Sequence, residues 1–318
     1  MKTGQNGAVL GLLVLAYGVV PMLWGHDPYV MSLLVAALII GGVALPWALL
    51  GNLGGMVSFG HSAFFGVGAY TSAILSMKFA VPVPAAIVLG GVGAWLASLV
   101  MLPVLRLKGP YFALAILAYA RIFEIIATEW SSLTGGSGGM SSIPTVPAAF
   151  GFDFGSKLGS YLLILTIVLL FAAAYWALRR SHYGVALRAM RESEDATRVV
   201  GVNSTLLKSL MLFVSAFMTG IVGAFDAHYI NFLEPDYAFN GVWVMLPIVA
   251  AIFGGYRTIL GPLVGAVFVY LVDQLIFKSL LPSGHQLVLG ALLVAMIIFS
   301  PRGLLTLAQR PFGRRQRA

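Results

Sequence analysis

Tyr29-Val-Met-Ser-Leu-Leu-Val-Ala-Ala-Leu-Ile-Ile-Gly-Gly-Val-Ala-Leu-Pro-Trp-Ala-Leu-Leu50 runs for twenty-two residues without a charged side chain. A helix needs about 20 mostly apolar residues to cross the hydrocarbon core of a bilayer, so this stretch suffices for one crossing. Further apolar runs, broken by Gly, Pro and charged residues, lie at about 8–24, 56–77, 83–104, 110–130, 158–178, 208–230, 241–256, 260–277 and 285–300. They are too long for barrel strands and lack the required alternation. The expectation is an all-α, polytopic integral membrane protein of about ten transmembrane segments, with a range of eight to eleven. Several later runs are short and punctuated, as half-helical or re-entrant segments are.

Composition agrees. Of 318 residues, 59% are apolar and only 9% charged, against roughly 25% charged in soluble domains. So little polar surface cannot cover a water-soluble core of this size, which excludes ordinary globular enzymes, disordered chains and coiled coils. With no cysteine there is no disulfide, thiolate zinc site or cysteine-held cluster. No small-x-small cleavage site follows the first apolar run, so it reads as a retained span.

The net charge of +8 would suggest nucleic acid in a soluble protein; in a membrane protein, basic residues mark cytoplasmic loops. With ten crossings and a cytoplasmic N-terminus, Lys2, Arg106, Lys108, Arg179, Arg180, Arg188, Arg191, Arg198, Lys208, Arg257, Arg302, Arg310, Arg314, Arg315 and Arg317 fall inside. Lys78, Lys157 and Lys278 fall outside. Fifteen against three places both termini in the cytoplasm. Residues 1–305 then read as one transmembrane domain followed by a basic tail, 306–318. Two loops exceed simple connections: an external one at about 131–157 and a cytoplasmic one at about 179–207.

Small residues at four-residue spacing, Gly51/Gly55, Gly261/Gly265 and Ala216/Gly220/Ala224, mark faces where helices approach closely. Thr134-Gly-Gly-Ser-Gly-Gly139 lacks the Gly-Lys-Ser/Thr ending of a phosphate loop, so nucleotide binding is rejected. Ionisable groups inside spans are costly and merit functional hypotheses. Arg121 and Glu124 lie three apart on one helix face and can neutralise each other; Asp226, His228 and Asp273 lie near span ends, and His61 sits beside Ser58 and Ser62. No nucleophile elbow, clustered metal ligands or His-Glu-x-x-His pattern is present. The chain reads as a non-enzyme without cofactor or metal. Asn203-Ser-Thr205 fits a glycosylation sequon but lies on the cytoplasmic side.

The segment Tyr183–Gly201 reads as a short amphipathic helix ending in glycine. Ala186, Leu187, Met190 and later Val199 and Val200 give apolar contacts, and Arg188, Arg191, Glu192, Glu194, Asp195 and Arg198 supply both charge signs. Such a helix between two spans suits docking of a partner or simple solvation of a loop.

At this point a resemblance becomes visible. Asp195-Ala-Thr-x-x-x-Gly201 resembles a degenerate Glu-Ala-Ala-x-x-x-Gly loop of ABC importer permeases. Tyr183-Gly-x-Ala-Leu-Arg-Ala-x-Arg-Glu-x-Glu194, Gly201-Val-Asn-x-x-x-x-Lys208, Gly60-His-Ser-Ala-Phe-Phe-Gly-Val-Gly-Ala-Tyr70 and Leu105-Arg-Leu-Lys-Gly-Pro-Tyr-Phe-Ala-Leu114 resemble the branched-chain amino acid permease family. So do Leu133-Thr-Gly-Gly-Ser-Gly-Gly139, Gly254-Gly-Tyr-Arg-Thr-x-x-Gly-Pro-x-x-Gly-Ala266 and Ser300-Pro-Arg-Gly303. The match runs in order over about 40–305 and looks most like the larger, M-type permease. Asp195 and Thr197 depart from the general importer motif, and Arg121 stands where an acidic or small residue is common, which bears on substrate identity.

The resemblance implies a transmembrane subunit of an ATP-driven importer in the bacterial inner membrane. It would assemble with a second homologous permease, two cytoplasmic ATPases and an external solute-binding protein, contacting lipid and no nucleic acid. ATPase coupling falls to Arg188, Arg191, Glu192, Glu194, Asp195, Ala196 and Gly201. The pathway candidates are Ser58, His61, Tyr70, Arg121, Glu124, Thr134 and Gly135. Branched-chain or related hydrophobic amino acids are the expected substrates, with urea or short amides as the alternative. A stand-alone secondary transporter, using Glu124, Asp226 and Asp273 for ion coupling, is the rival from another class. Such a carrier has no need of the 183–201 loop.

Overall fold

A computed structural model describes residues 11, 13–107, 109–148, 151–280, 284–299 and 303. Lys2, Lys108, Arg302 and the tail 306–318 lie outside the described residues.

Helices occupy every apolar run: α1 (Leu15–Trp24), α2 (Pro28–Gly54), α3 (His61–Lys78), α4 (Val83–Val100), α5 (Pro110–Glu129), α6 (Lys157–Arg180), α7 (His182–Glu192), α8 (Glu194–Val199), α9 (Ser204–Ile230), α10 (Val242–Gly254), α11 (Gly261–Leu280) and α12 (His285–Phe299). Seven helices among the described residues are long and apolar enough to cross a membrane: α2, α4, α5, α6, α9, α11, and α10 with the short helix before it, counted as Pro235–Gly254. The protein is therefore an all-α polytopic membrane protein.

Uniform apolarity makes α2 the central post. It has no polar stripe to turn outward, so from Val35 onward almost every residue is buried, and α6, α9, α10 and α11 pack around it. Asp27 caps its N-terminus, accepting from the amides of Tyr29 and Val30 at 2.9 and 3.2 Å. Pro46, which cannot donate to the turn before it, offers its own carbonyl to Ser215 Oγ at 3.1 Å.

A second layer, α3, α4 and α9, packs through small residues. Ala216, Gly220 and Ala224 are fully or nearly fully buried. A Cβ on Gly68 would collide with the backbone of Gly220, and one on Gly220 with Ala94. Gly265 seats α11 on the backbone of α10 in the same way, and Gly261 seats it on the turn that follows α10. The Gly51/Gly55 pair is different. Gly55 ends α2 in the left-handed region at φ 66°, and only the carbonyl of Met56, at 3.9 Å, approaches Gly51. That spacing marks a helix terminus, because a C-cap requires the conformation glycine adopts without a Cβ clash.

The two ends of the bundle are chemically distinct. At one, the 131–157 loop is stitched down. Met140–Ser141 pairs antiparallel with Phe232–Leu233, Lys78 donates to the carbonyl of Ser132 at 2.6 Å, and Lys157 reaches Tyr229 Oη at 3.2 Å. At the other, Arg179, Arg188, Arg191 and Arg257 surround Asn52. Lys78 and Lys157 thus lie at one end of the bundle and these arginines at the other.

Candidate functional site

The segment after α6 is two helices set at an angle. Ser181, in extended backbone, accepts from Gly184 N at 3.3 Å and starts α7. Ser193, at φ −155° and ψ 106°, breaks the segment and starts α8 by accepting from Ala196 N at 3.3 Å. Glu194 and Asp195 in the first turn favour that start, since acidic groups suit the positive end of a helix. Gly201, at φ 87°, turns the chain toward α9, whose cap is Asn203. The single helix expected over 183–201 is therefore corrected to a hinged pair, because a serine followed by acids caps a new helix more readily than it continues an old one.

The apolar face of α7 turns inward, not toward a partner. Leu187 is fully buried and Met190 is 3% exposed, both turned into the protein's own core, and Gly184 lets α7 lie on the carbonyls of Leu178 and Arg179. The apolar groups left outside include Tyr183, Val185, Val199 and Val200, the last two 87% and 76% exposed. Arg188, Asp195 and Ala196 are exposed beside them.

Two polar struts fix this elbow. Arg191 Nη1 donates to Asn52 O and Oδ1 at 3.0 and 3.1 Å, and Nη2 to Glu192 at 3.2 Å. Asn52 Nδ2 in turn donates to Tyr175 Oη at 2.8 Å and Arg257 O at 3.3 Å, so one amide joins α2, α6, α7 and the turn before α11. The second strut is Glu194, paired with Lys208 at 2.7 Å and Arg198 at 2.8 Å, while Arg198 Nε donates to Ser204 at 2.7 Å. Burial pushes the Glu194 carboxyl up, but the Lys208 hydrogen bond and charge, with Ser204 and Arg198, outweigh it and hold the group below the ordinary glutamate value. A cavity of about 590 Å³ opens beside this strut, between Gly55, Val57, Phe59, Pro110, Glu194 and Lys208.

Sequence reasoning missed Asn52, Lys208, Ser204 and Tyr175 as members of the elbow. The available signal was a lone amide at the end of an otherwise apolar run.

The pathway candidates fall in three places. Ser58 and His61 are buried where α3 begins, with Ser58 O accepting from Trp47 Nε1 at 2.8 Å. His61 Nε2 meets Ser215 Oγ at 2.9 Å; because the Ser215 proton points at Pro46 O, His61 donates here. Tyr70 is buried at the opposite end, stacked on Phe239 at 6.1 Å in the cluster that holds Met140 and Leu233. Thr134 lies near that end too, its hydroxyl spanning Ala127 O and Trp130 O at 2.6 and 2.8 Å, and Gly135 turns the chain at φ 82°. Near them His228 Nδ1 donates to Pro144 O at 2.6 Å and Nε2 accepts from Ser72 at 2.8 Å, pinning the loop, while Asp226 accepts from Tyr237 at 2.8 Å.

Arg121 and Glu124 stand apart from both groups. They form an ion pair at 2.6 Å on α5, with side-chain exposures of 64% and 17%. Each charge facing lipid at mid-helix would cost about 2.5–3.5 kcal/mol or more. This face of α5 therefore suits water or protein rather than hydrocarbon.

A family model described as the branched-chain amino acid transport system / permease component matches residues 29–297. The high-affinity branched-chain amino acid transport system permease protein LivM of Salmonella typhimurium is 29% identical over 81% of this chain and 65% of its own length; the chain thus spans about two thirds of that relative. LivM of Escherichia coli K12 is 28% identical over 96% of the chain and 76% of the relative. LivH of the same organism, also a permease protein of the high-affinity branched-chain system, is 23% identical over 83% of the chain and 90% of the relative. No solved structure gives a significant match. The chain belongs to the branched-chain amino acid transport permease family, and within it to the LivM type.

Proposed function

We propose that this chain is the M-type permease of an ABC importer in the bacterial inner membrane. It works beside a second, H-type permease, two cytoplasmic ATPases and an external binding protein, and moves branched-chain or related hydrophobic amino acids. The chain crosses the membrane ten times; the apolar runs that hold α1, α3 and α12 supply the crossings beyond the seven helices that are long and apolar enough by themselves. Both termini and the 179–207 elbow face the cytoplasm, and the 131–157 loop faces outward. ATP hydrolysis resides in the partners.

The observation that carries this reading is the elbow. α7 and α8 are tied by Arg191–Asn52 and Glu194–Lys208 to α2 and α9, two long helices of the core, while Asp195, Val199 and Val200 are exposed on their outer surface. A push on that outer surface therefore reaches the centre of the bundle. The names of the LivM and LivH relatives supply the substrate class and the second permease.

The complex reconstituted in proteoliposomes should take up L-leucine only with internal ATP and external binding protein; ATP-dependent uptake of urea or acetamide without leucine transfers the assignment to the amide carriers. For orientation, Ser193→Cys and Ser141→Cys, both at exposed positions, should differ in intact spheroplasts. An impermeant maleimide should reach only Ser141→Cys. Labelling of Ser193→Cys from outside reverses the topology.

A further inference from the structure

The chain puts one ion pair in the middle of a membrane helix, its arginine exposed and its glutamate only partly so. Arg121 and Glu124 are the twelfth and fifteenth residues of the 20-residue α5, which puts them roughly 2 and 7 Å past its midpoint at about 1.5 Å per residue. Among the described residues, no other ion pair has both members inside a membrane-crossing helix. The stripe around Arg121 faces away from the bundle. Leu117 and Ile125, one turn before and one turn after it, are 37% and 60% exposed, and Ala118 between them is exposed and small. The inner side of the same helix, Phe112, Ile116 and Ala120, is packed into the core. The outer face of α5 is thus an apolar shelf with a cation at its centre and the paired anion, partly covered, at its margin.

We infer that Arg121 and Glu124 form a transient binding site for the zwitterionic head of the transported amino acid, with Leu117 and Ile125 taking its aliphatic side chain. This rests on the importer reading and names the part of the pathway that recognises the substrate. An α-amino acid carries a carboxylate and an ammonium on one carbon. It can therefore exchange the single Arg121–Glu124 contact for two, Arg121 guanidinium to carboxylate and Glu124 carboxylate to ammonium. No bare charge is exposed before or after, because the two side chains neutralise each other at 2.6 Å when the site is empty. The exchange gives up one ion pair for two of the same kind, so loss of the protein's own pair offsets part of the hold on the head. A neutral amide such as urea offers no charges to this pair, which makes the site selective between the two substrate classes open to the family reading. Guanidinium geometry matters as well: the planar fork meets a carboxylate in two parallel hydrogen bonds, which a lysine cannot do.

The test uses the whole complex, with both permeases, ATPases and binding protein, in proteoliposomes. L-leucine uptake and ATP hydrolysis are read in the same vesicles for Arg121→Gln, Glu124→Gln, the double variant and Arg121→Lys, each normalised to assembled complex. Each single neutral variant should transport at least tenfold less leucine per ATP hydrolysed. The double variant leaves no unpaired charge, so it should assemble better than either single variant and yet transport no better; Arg121→Lys should retain an intermediate ratio. Recovery of wild-type uptake by the double variant would show that the pair only neutralises itself against a neighbouring subunit, and unchanged uptake in all four would show an idle pair. Either overturns the proposal. Absence of ATP-dependent leucine uptake by the unmutated complex would instead overturn the importer reading, so the two failures are distinguishable.

Discussion

Gly220→Leu should leave almost no folded protein in the membrane. A Cβ at this position collides with Ala94 and comes within 3.0 Å of the Gly90 carbonyl and 3.1 Å of Gly91 Cα. The obstacles are backbone and a one-carbon side chain, so nothing can swing aside; α4 and α9 must separate. Overpacking a well-filled core costs about 1–3 kcal/mol and sometimes more, and here the separation would also open contacts on Gly68, whose own Cβ position is filled by the Gly220 backbone. The matched control is Gly241→Ala, where nothing lies within 4 Å. Fluorescence-detected size exclusion of detergent extracts should show a monodisperse peak for Gly241→Ala and an aggregate or no peak for Gly220→Leu. A monodisperse Gly220→Leu protein with unchanged thermal midpoint would mean that α4 and α9 are not held by this seam.

The four-residue spacing of Ala216, Gly220 and Ala224 announced that seam, because three small residues on one helix face have few uses other than close approach. The same rule misled at Gly51 and Gly55, since spacing cannot distinguish a packing face from a helix that is about to end; what decides is whether the next residue must turn back. Helix positions were legible throughout, because each run of about 20 apolar residues has to bury its backbone polar groups internally. Polar tethers were not. Asn52 ties four parts of the fold together, yet it carries no periodicity and sits among glycines. Amphipathic patterning in 183–201 identified the face made by Leu187 and Met190 correctly, but an apolar face says only that it is covered, not by whom. In this chain α6 and α2 cover it, which their sequences do not announce. The break at Ser193 was readable in principle, since Ser193-Glu-Asp is the start of a capped helix, but continuity of the charged pattern across it suggested one helix.

Coupling to a partner should consequently fail at Val199 and Val200, and not at Leu187 and Met190. Leu187→Asp places a charge in a fully buried site, so it should destabilise the permease itself, with loss of protein from the membrane. Val199→Asp and Val200→Asp alter side chains 87% and 76% exposed. They should leave insertion and solubility unchanged while weakening the hold of the cytoplasmic ATPases. Truncating a well-packed interface anchor costs about 2 kcal/mol or more, and each 1.4 kcal/mol is about a factor of ten, so retention of the ATPases in pull-down should fall by at least tenfold. Asp195→Arg reverses a charge exposed beside the patch, and should act chiefly on association, weakening further at low salt. Gly201→Val has room for the side chain, with nothing within 4 Å, but it forces a β-branched residue to φ 87°, a conformation that is strongly disfavoured. The return into α9 should then shift, and binding-protein-stimulated ATP hydrolysis should separate from leucine uptake even where the subunits stay together. Wild-type assembly, stimulation and uptake in Val199→Asp, Asp195→Arg and Gly201→Val alike would reduce the elbow to a solvated connector and remove the observation on which the importer assignment rests.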